Sequence, residues 1–493
     1  MSMRTQIDLK IGSRAGTRRR SAGDPLRVLV LGDFAGRSQP PAILSAQRLA
    51  IDDFDTLMGA LAPVVPIAGP DDGKPLAQIA ITAFGEFHPD HLAVTIPHLR
   101  ELLELDRALR DPRTEKQALA TLDSLAGPKA TAEAPSAAAA GAVAGADKGS
   151  ESSDQLLGRL LGAARREDAA AHAAKARVQQ IIDSALGSAA SAGSSSQAVD
   201  GRARLARLFN DRCRRILVDQ RFRSVERAWR SVHWLASRLE SDEAHLYVAD
   251  LSKQALARHV GALGQNLDAS PLHRLLARDG DDAWDLIVGD YSFALTPDDV
   301  ALLATLGALA ARARAPFLAH GDLGLAGCKS AADVDAPWDW RYSDSDLATL
   351  WTELRGHPAA QWIGLAAPRF LLRLPYGAKT DAIERIDFEE LPARPERERF
   401  LWGNPAFACA LLMARAHARG DGAHWPNGGG GDVDDLPMPV YADGGGEAVQ
   451  PPIEHVLGER ARATATERGL IALAGGANAN RISIPSTRCL ANG

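Results

Sequence analysis

Apolar and polar positions follow strand-like patterns in three short stretches of the first hundred residues. Residues 5–11 (T-Q-I-D-L-K-I) alternate with the period of a half-buried strand. Residues 27–31 form a short, mostly apolar run that ends at Gly32, which is typical of a buried strand entering a turn. Residues 78–84 (Q-I-A-I-T-A-F) alternate again, so the pattern predicts three strands in this region.

Helical spacing of apolar residues predicts the intervening elements. Residues 52–62 begin with an acidic pair and stop at Pro63. Residues 88–109 carry a leucine-rich stripe, within which Pro97 is expected to begin the regular helix. Both stretches are therefore predicted to be helices that follow strands.

The same two periods continue in the second part of the chain. Residues 202–239 predict a long amphipathic helical region, and residues 244–249 and 284–288 predict strands. Thr296 precedes a proline and two aspartates, which indicates the start of a helix that runs to about residue 314. Because strands and helices alternate, the predicted fold class is mixed α/β.

Low-complexity sequence separates these two regions. Residues 126–153 are mostly alanine, glycine, serine, proline and lysine, which predicts a flexible linker. Residues 154–186 are predicted to be helical, and a second low-complexity stretch follows at residues 187–196. Four leucines in the helical stretch form an apolar patch with i, i+4 spacing: Leu156, Leu157, Leu160 and Leu161.

Composition excludes several classes of protein. A chain of 493 residues with 46% hydrophobic residues is expected to hold two or three domains. Its net charge of −6 gives no case for nucleic-acid binding, and the basic stretch between Arg4 and Arg20 is interpreted as a solvated arm. With no secretory signal and no apolar run long enough for a membrane span, the protein is expected to be cytoplasmic. Four widely spaced cysteines predict reduced thiols rather than disulfides or a zinc site.

The search for catalytic chemistry yields few candidates. The histidines have no metal-binding spacing, and the Lys-Gly-Ser at residues 148–150 lacks the ending of a phosphate loop. Val-Gly-Asp-Tyr at residues 288–291 offers an acid after a strand, where α/β enzymes place catalytic groups. Because Leu-Gly-Asp-Phe at residues 31–34 has the same form, both motifs are interpreted as turns. We therefore expect no catalytic, cofactor or metal residues.

An ordered series of motifs in the second part of the chain resembles a known family. Residues 221–235 read R-F-R-S-V-E-R-A-W-R-S-V-H-W-L, and residues 362–377 read W-I-G-L-A-A-P-R-F-L-L-R-L-P-Y-G. Further matching segments are residues 249–253, 284–299, 315–319, 388–390, 401–404, 467–472 and 483–485. The series resembles the large subunit of the type VI secretion contractile sheath (TssC, VipB or ImpC).

The first part of the chain resembles the small subunit of the same sheath (TssB, VipA or ImpB). The resemblance rests on L-R-V-L-V-L-G-D-F-A-G-R at residues 26–37 and on F-x-x-F-x-P-D-x-L at residues 84–92. Together the resemblances imply two sheath-type α/β domains joined by a flexible linker and a helical segment. The expected bounds are 1–125 for the small-subunit domain, 126–153 for the linker, 154–200 for the helical region and 201–493 for the large-subunit domain.

The resemblance also implies a role and partners. It implies a non-enzymatic structural component of the sheath, in contact with other sheath subunits, the inner tube protein, the baseplate and the ClpV unfoldase. The leucine-bearing helix is similar to the segment that ClpV engages, so Leu156, Leu157, Leu160 and Leu161 are expected either to bind the unfoldase or to pack on their own domain. The alternating residues Thr5, Ile7, Leu9 and Ile11 are expected to form a strand donated to a neighbouring subunit.

Two alternatives remain open at this stage. The large-subunit match stops near Pro485, whereas the family continues into a region that supplies strands to neighbours, so the large-subunit part is expected to be truncated. A truncated subunit would fit a sheath-end, baseplate-docking or regulatory accessory that does not itself polymerise. The other alternative is an α/β hydrolase or nucleotide-binding enzyme, which the missing motifs disfavour.

Overall fold

The computed structural model describes residues 23–37, 43–68, 75–126, 196–262, 270–278, 280–392, 395–420, 425–426, 428, 430–443, 446–485 and 487–491. We call residues 23–126 the N-terminal part and residues 196–491 the C-terminal part. The chain divides into two compact units. One contains the described residues of Met1–Arg100 and Asn210–Gly493, and the other contains those of Glu101–Phe209.

The described residues form both α-helices and β-strands, which confirms the predicted mixed α/β class. The strands are β1 (Leu26–Gly32), β2 (Gln47–Leu49), β3 (Val64–Ala68), β4 (Pro75–Ala80), β5 (Ala244–Asp250), β6 (Leu286–Phe293), β7 (Phe317–Gly321), β8 (Ile363–Ala367), β9 (Phe370–Leu371), β10 (Trp402–Gly403), β11 (Gly431–Val433), β12 (Val440–Asp443), β13 (Gly446–Val449), β14 (Leu470–Ala472), β15 (Ala474–Gly475) and β16 (Ile482–Ile484). The helices are α1 (Phe54–Leu61), α2 (Pro89–Thr95), α3 (Pro97–Arg110), α4 (Glu115–Ala126), α5 (Ser196–Val218), α6 (Gln220–Ala236), α7 (Lys253–Gly261), α8 (Pro271–Leu276), α9 (Pro297–Ala313), α10 (Ser345–Gly356), α11 (Ala406–Ala418) and α12 (Glu459–Glu467).

The largest sheet contains strands from both parts of the chain. Its order is β14-β8-β7-β6-β1-β5-β2, and the strands are parallel except for the edge strand β2. Strand β1 of the N-terminal part lies between β5 and β6 of the C-terminal part, with Leu26 aligned with Ala244 and Gly32 with Asp250. The two parts therefore build one sheet, which the periodicity of either part alone does not reveal.

Both faces of the sheet are buried, as expected for parallel strands. On one face, Leu29 and Leu31 of β1 belong to a core that also includes residues of α9, α10 and α12. Val28 and Val30 point to the other face and are equally buried. Because β1 is covered on both sides, it is a central element of the core.

Several predicted elements are confirmed. The helix expected at residues 88–109 consists of α2 and α3, and the second helix begins at Pro97. The long helical region consists of α5 and α6, which meet at Asp219. The Asp219 carboxylate accepts hydrogen bonds from the amides of Arg221 and Phe222 in the first turn of α6. Thr296 caps α9 by accepting a hydrogen bond from the Asp299 amide.

Two predictions were wrong in part. The strand expected at residues 78–84 ends at Ala80, and residues from Phe84 form a short 3₁₀ helix instead. Val-Gly-Asp-Tyr at residues 288–291 is not a turn, because it lies inside β6. At this point the register between β6 and β7 shifts, which marks a local bulge and explains why the motif resembles a chain reversal.

The second unit joins the end of the N-terminal part to the start of the C-terminal part. Arg204 on α5 forms an ion pair with Asp123 on α4, at 2.8 Å. Gly201 allows close packing, because a Cβ at this position would lie 2.6 Å from a methyl group of Leu119. Among the described residues, every helix is too short or too polar to cross a bilayer.

Candidate functional site: polar strand ends and a buried ion network

Titratable side chains stand at or just beyond the carboxyl ends of five neighbouring strands. They are Asp250 on β5, Asp33 after β1, Asp290 on β6, His320 on β7 and Arg369 after β8. In open α/β sheets, ligands bind at this edge. The row is therefore the first place to look for chemistry, and the role of each member follows from its partners.

Asp250 holds the turn that follows β1. Its Oδ1 accepts hydrogen bonds from the amides of Phe34 (3.0 Å) and Ala35 (2.9 Å). Asp33 Oδ1 accepts a further bond from the Gly36 amide at 3.1 Å, which confirms the predicted turn. Gly36 has φ of +63°, and a Cβ there would lie 2.8 Å from the carbonyl oxygen of Val64. An aspartate of the C-terminal part thus fixes a turn of the N-terminal part.

Burial changes the protonation of these two acids. Burial and, next in size, the nearby Asp250 carboxylate raise the pKa of Asp33 to about 6, although the hydrogen bond from the Gly36 amide opposes the shift. Burial also raises the pKa of Asp250, against the two backbone amides it accepts from. The acids at this turn therefore hold their protons more tightly than free aspartates.

Asp290 is the most deeply buried acid of the row, with 2% of its side chain exposed. Its Oδ2 lies 3.5 Å from Nε of Arg227 on α6. The bulge around it is fixed from outside the strand, because Nδ2 of Asn404 donates to the carbonyl oxygens of Gly289 and Tyr291, each at 3.0 Å. The Tyr291 hydroxyl donates to the Leu251 carbonyl at 2.5 Å and so links β6 to the end of β5.

The remaining members of the row also have internal partners. His320 Nδ1 lies 2.9 Å from the Ser292 hydroxyl, and burial lowers the pKa of His320 to about 3, so the ring is neutral. Arg369 binds Glu454 through two nitrogens, at 2.9 and 2.5 Å. His320, Arg369 and Glu454 line a cavity of about 130 Å³. The part of the chain that the structure describes contains no group of three or more acids, histidines and cysteines that could hold a metal ion.

A second polar cluster, the buried ion network, lies around α6. Glu226 is fully buried and accepts from Nε of Arg230 (2.7 Å) and Nε of Arg373 (2.9 Å). Arg373 also binds Glu390 through both terminal nitrogens, at 2.7 and 3.0 Å. Burial alone would raise the pKa of Glu226, but Arg373 and Arg230 hold it below its usual value. Tyr376 completes the network by accepting a hydrogen bond from Arg230 at 2.7 Å.

The segment that carries Arg373 and Glu390 also contacts the N-terminal part. Asp90 at the start of α2 accepts hydrogen bonds from the amides of Glu384 (3.0 Å) and Arg385 (3.3 Å). The ring of His88 meets that of Tyr376 edge to face, with centroids 4.9 Å apart. The buried ion network therefore braces a loop-rich segment against both α6 and α2.

An aromatic cluster completes the contact between the two parts. Trp229 on α6 donates from Nε1 to the Phe34 carbonyl at 2.8 Å and meets the rings of Phe34 and Phe54 edge to face. His233 stacks on Phe84, with centroids 4.1 Å apart. Such aromatic pairs add to the stabilisation from burial. One helix of the C-terminal part is thus packed against three aromatic rings of the N-terminal part.

The residues predicted from sequence as partner-binding sites lie outside the described residues. These are Thr5, Ile7, Leu9 and Ile11, and also Leu156, Leu157, Leu160 and Leu161. The predicted linker from residue 127 onward also lies outside them. Sequence reasoning did not identify the structural roles of Asp250, Glu226 and Arg373. A signal in the sequence was a charge placed among apolar residues, such as the second arginine of R-F-L-L-R-L-P-Y at residues 369–376.

Comparisons with known proteins agree with this architecture. Residues 202–490 match the family model described as EvpB/VC_A0108, tail sheath N-terminal domain. Residues 3–125 match the model described as Type VI secretion system, VipA, VC_A0107 or Hcp2. The protein thus belongs to the tail sheath family of type VI secretion systems. More particularly, it carries the small-subunit and large-subunit sequences on one chain, which confirms both resemblances.

A curated relative supports the large-subunit match. The type VI secretion system sheath protein TssC1 of Pseudomonas aeruginosa strain PAO1 is 31% identical to this chain over 264 residues. The match covers 51% of this chain and 53% of the relative, so the chain spans about half the length of the curated protein that it matches.

Proposed function

We propose that this protein is a structural component of a type VI secretion contractile sheath, in which one chain supplies the small and the large subunit. The observation that carries the proposal is the position of β1 between β5 and β6, because it makes the two subunit-like parts one folded body. A sheath contracts by repacking interfaces between such bodies, which act as rigid building blocks. The polar strand ends and the buried ion network suit this role, because their groups bond to each other and to the backbone.

Electron microscopy of the purified protein tests the proposal. We expect tubular assemblies, either from the protein alone or after addition of the other secretion components. The control is the same preparation of a variant in which β1 is broken, which should give no tubes. Discrete particles that never join a tube would contradict the sheath role and would favour an accessory that binds the sheath without extending it.

We propose further that the partners are other sheath subunits, the inner tube protein, the baseplate and a ClpV-type unfoldase, and that the protein acts in the cytoplasm. The leucine patch supports the unfoldase contact, because an apolar stripe on a helix fits a hydrophobic groove. Changing Leu157 and Leu161 to aspartate should abolish unfoldase binding and leave the melting temperature nearly unchanged. Matched changes of Gln155 and Arg159 to aspartate should leave binding intact. A large loss of thermal stability in the leucine variant would show instead that the leucines pack in a core.

We propose also that the residue 5–11 stretch is a strand donated to a neighbouring subunit. Strict alternation supports this, since an added strand needs one apolar face and one polar face. Changing Ile7 and Leu9 to serine should weaken association with sheath components, whereas changing Gln6 and Lys10 to serine should not. Equal association of both variants would rule out face-specific strand donation.

A further inference from the structure

Three carboxyl groups meet where the N-terminal and C-terminal parts share the sheet. Gly32, the last residue of β1, is aligned with Asp250 on β5. Leu31 is aligned with Gly289 on β6, so the next residue, Asp290, stands beside Gly32 on the other side. A Cβ placed on Gly32 would lie only 3.4 Å from the Cβ of Asp290. Asp33 follows Gly32 directly, so it stands just beyond the end of β1, next to the positions of Asp250 on β5 and Asp290 on β6.

The cations nearby do not fully balance these acids. From α6, Arg227 lies 3.5 Å from Asp290 and also acts on Asp33, and from the turn, Arg37 acts on Asp250. Lys253 at the start of α7 binds Asp299 at 2.6 Å. The phenol of Tyr291, the remaining titratable neighbour, is already bonded to a carbonyl. Arg227 and Arg37 thus act on these carboxyl groups, and Arg221 lines the same cavity as Asp33.

One oxygen in this group is left without a partner. Asp290 Oδ1 is buried and has no hydrogen-bond partner within the part of the chain that the structure describes. Buried polar atoms are almost always hydrogen-bonded, because a missing bond leaves the cost of desolvation uncompensated. A carboxylate oxygen accepts hydrogen bonds, so the missing partner of Asp290 Oδ1 is a donor. A neighbouring carboxyl group becomes such a donor when it carries a proton.

Solvent can reach the group from one side. Asp33 lines a cavity of about 690 Å³ together with residues of the following turn, of β3 and of α6 and α7. Arg37 and Arg221 also line this cavity. A proton can therefore enter or leave at Asp33 without unfolding of the sheet.

We propose that Asp33, next to Asp250 and Asp290, binds a proton at mildly acidic pH, so that the turn after β1 is held more firmly on the C-terminal part as the pH falls. The pKa of Asp33 is raised to about 6 in the folded protein, from an ordinary value of 3.8, first by burial and then by Asp250. The folded state therefore binds the proton more tightly than the unfolded state does. The stability contributed by proton binding is complete below pH 3.8 and is lost as the pH rises through about 6.

The test compares melting temperatures of the full chain at pH 8 and pH 5. The variant Asp33→Asn keeps an oxygen for the Gly36 amide and removes the charge. Relative to wild type, it should melt a few degrees higher at pH 8, and this margin should be about half as large at pH 5, because the stabilisation by the proton is complete only below pH 3.8. The control Asp53→Asn removes an exposed acid that makes no side-chain capping bond. It should have the same melting temperature as wild type at both pH values. Buried histidines such as His320 lower the stability of the folded protein as the pH falls. Their contribution is the same in wild type and variant, so it cancels from the difference in melting temperature.

Proton counting provides a second readout that does not depend on the stability of the variant. When the wild type is unfolded by denaturant at a pH between 5 and 6, in weakly buffered solution, Asp33 should release a proton that the Asp33→Asn variant does not release. An equal release by both proteins would overturn the proposal. It would also be overturned if the difference in melting temperature between them were the same at pH 5 and pH 8.

Discussion

At the scale of single residues, buried charges fix how a loop-rich segment of the C-terminal part packs on α6. Glu226 is fully enclosed and its two arginine partners come from α6 itself and from a segment about 147 residues further on. Burying an ion pair contributes little net stability, but removing one partner leaves the other charge uncompensated. The buried ion network therefore acts chiefly by allowing only one arrangement of that segment.

Replacing Glu226 with glutamine should be strongly destabilising. The change leaves Arg230 and Arg373 with one carboxylate, Glu390, and we expect the free energy of unfolding to fall by about 3–5 kcal/mol. Denaturant unfolding measures this directly. The matched control is Lys379→Gln, which removes an ion pair whose side chains are 81% and 65% exposed and should change stability by less than about 0.5 kcal/mol. Equal losses in the two variants would show that the network adds nothing beyond a surface pair.

At the scale of elements, strand β1 carries the connection between the two parts. It forms backbone hydrogen bonds on both edges, with β5 and with β6, and its side chains are buried on both faces. A central strand with these properties cannot be withdrawn without opening the sheet. A proline within it would remove a ladder hydrogen bond and clash with its neighbours.

Val30→Pro should therefore prevent the stable fold of the whole chain, whereas Val30→Ala should lower stability and retain the fold. Val30 is fully buried and is aligned with Val248 and Val288. Circular dichroism and thermal unfolding distinguish the two variants. If the proline variant melted as cooperatively as the alanine variant, β1 would not be the central strand of the sheet.

The sequence predicts elements better than it predicts their pairing. Helix ends at Pro97 and Thr296 follow from local rules, because caps and proline effects depend on neighbouring residues alone. The position of β1 does not, because its partner β5 begins more than 200 residues away and neither pattern encodes the other. The prediction of a turn at residues 288–291 was wrong because the local sequence does not encode long-range contacts. Its shape depends on Asn404, which is distant in sequence.

In the candidate site, too, local features could be predicted from the sequence and long-range contacts could not. The turn formed by Asp33 and Gly36 could be predicted from its residues, since Gly-Asp-aromatic sequences favour turns. The roles of Asp250 and Asp290 could not, because each becomes significant only when β5 and β6 flank β1. The family resemblance identified the two subunit-like parts, but the contacts that join them are visible only in three dimensions.

At the scale of the whole molecule, the central claim is that the two parts share one sheet and need no covalent connection to stay together. Strand β1, the aromatic cluster around Trp229 and the bonds from Asp90 all cross between them. In the second unit, the ion pair between Arg204 and Asp123 does the same. A covalent link mainly raises the effective concentration of one part near the other.

Cleavage within the predicted linker tests this claim most directly. A protease site is placed near Gly141, the chain is cut to completion, and the products are examined by gel filtration at micromolar concentration. We predict that the two fragments elute together in native buffer and separate only in denaturant. The same cut in a Val30→Pro variant should release them. Clean separation of the wild-type fragments in native buffer would contradict the account.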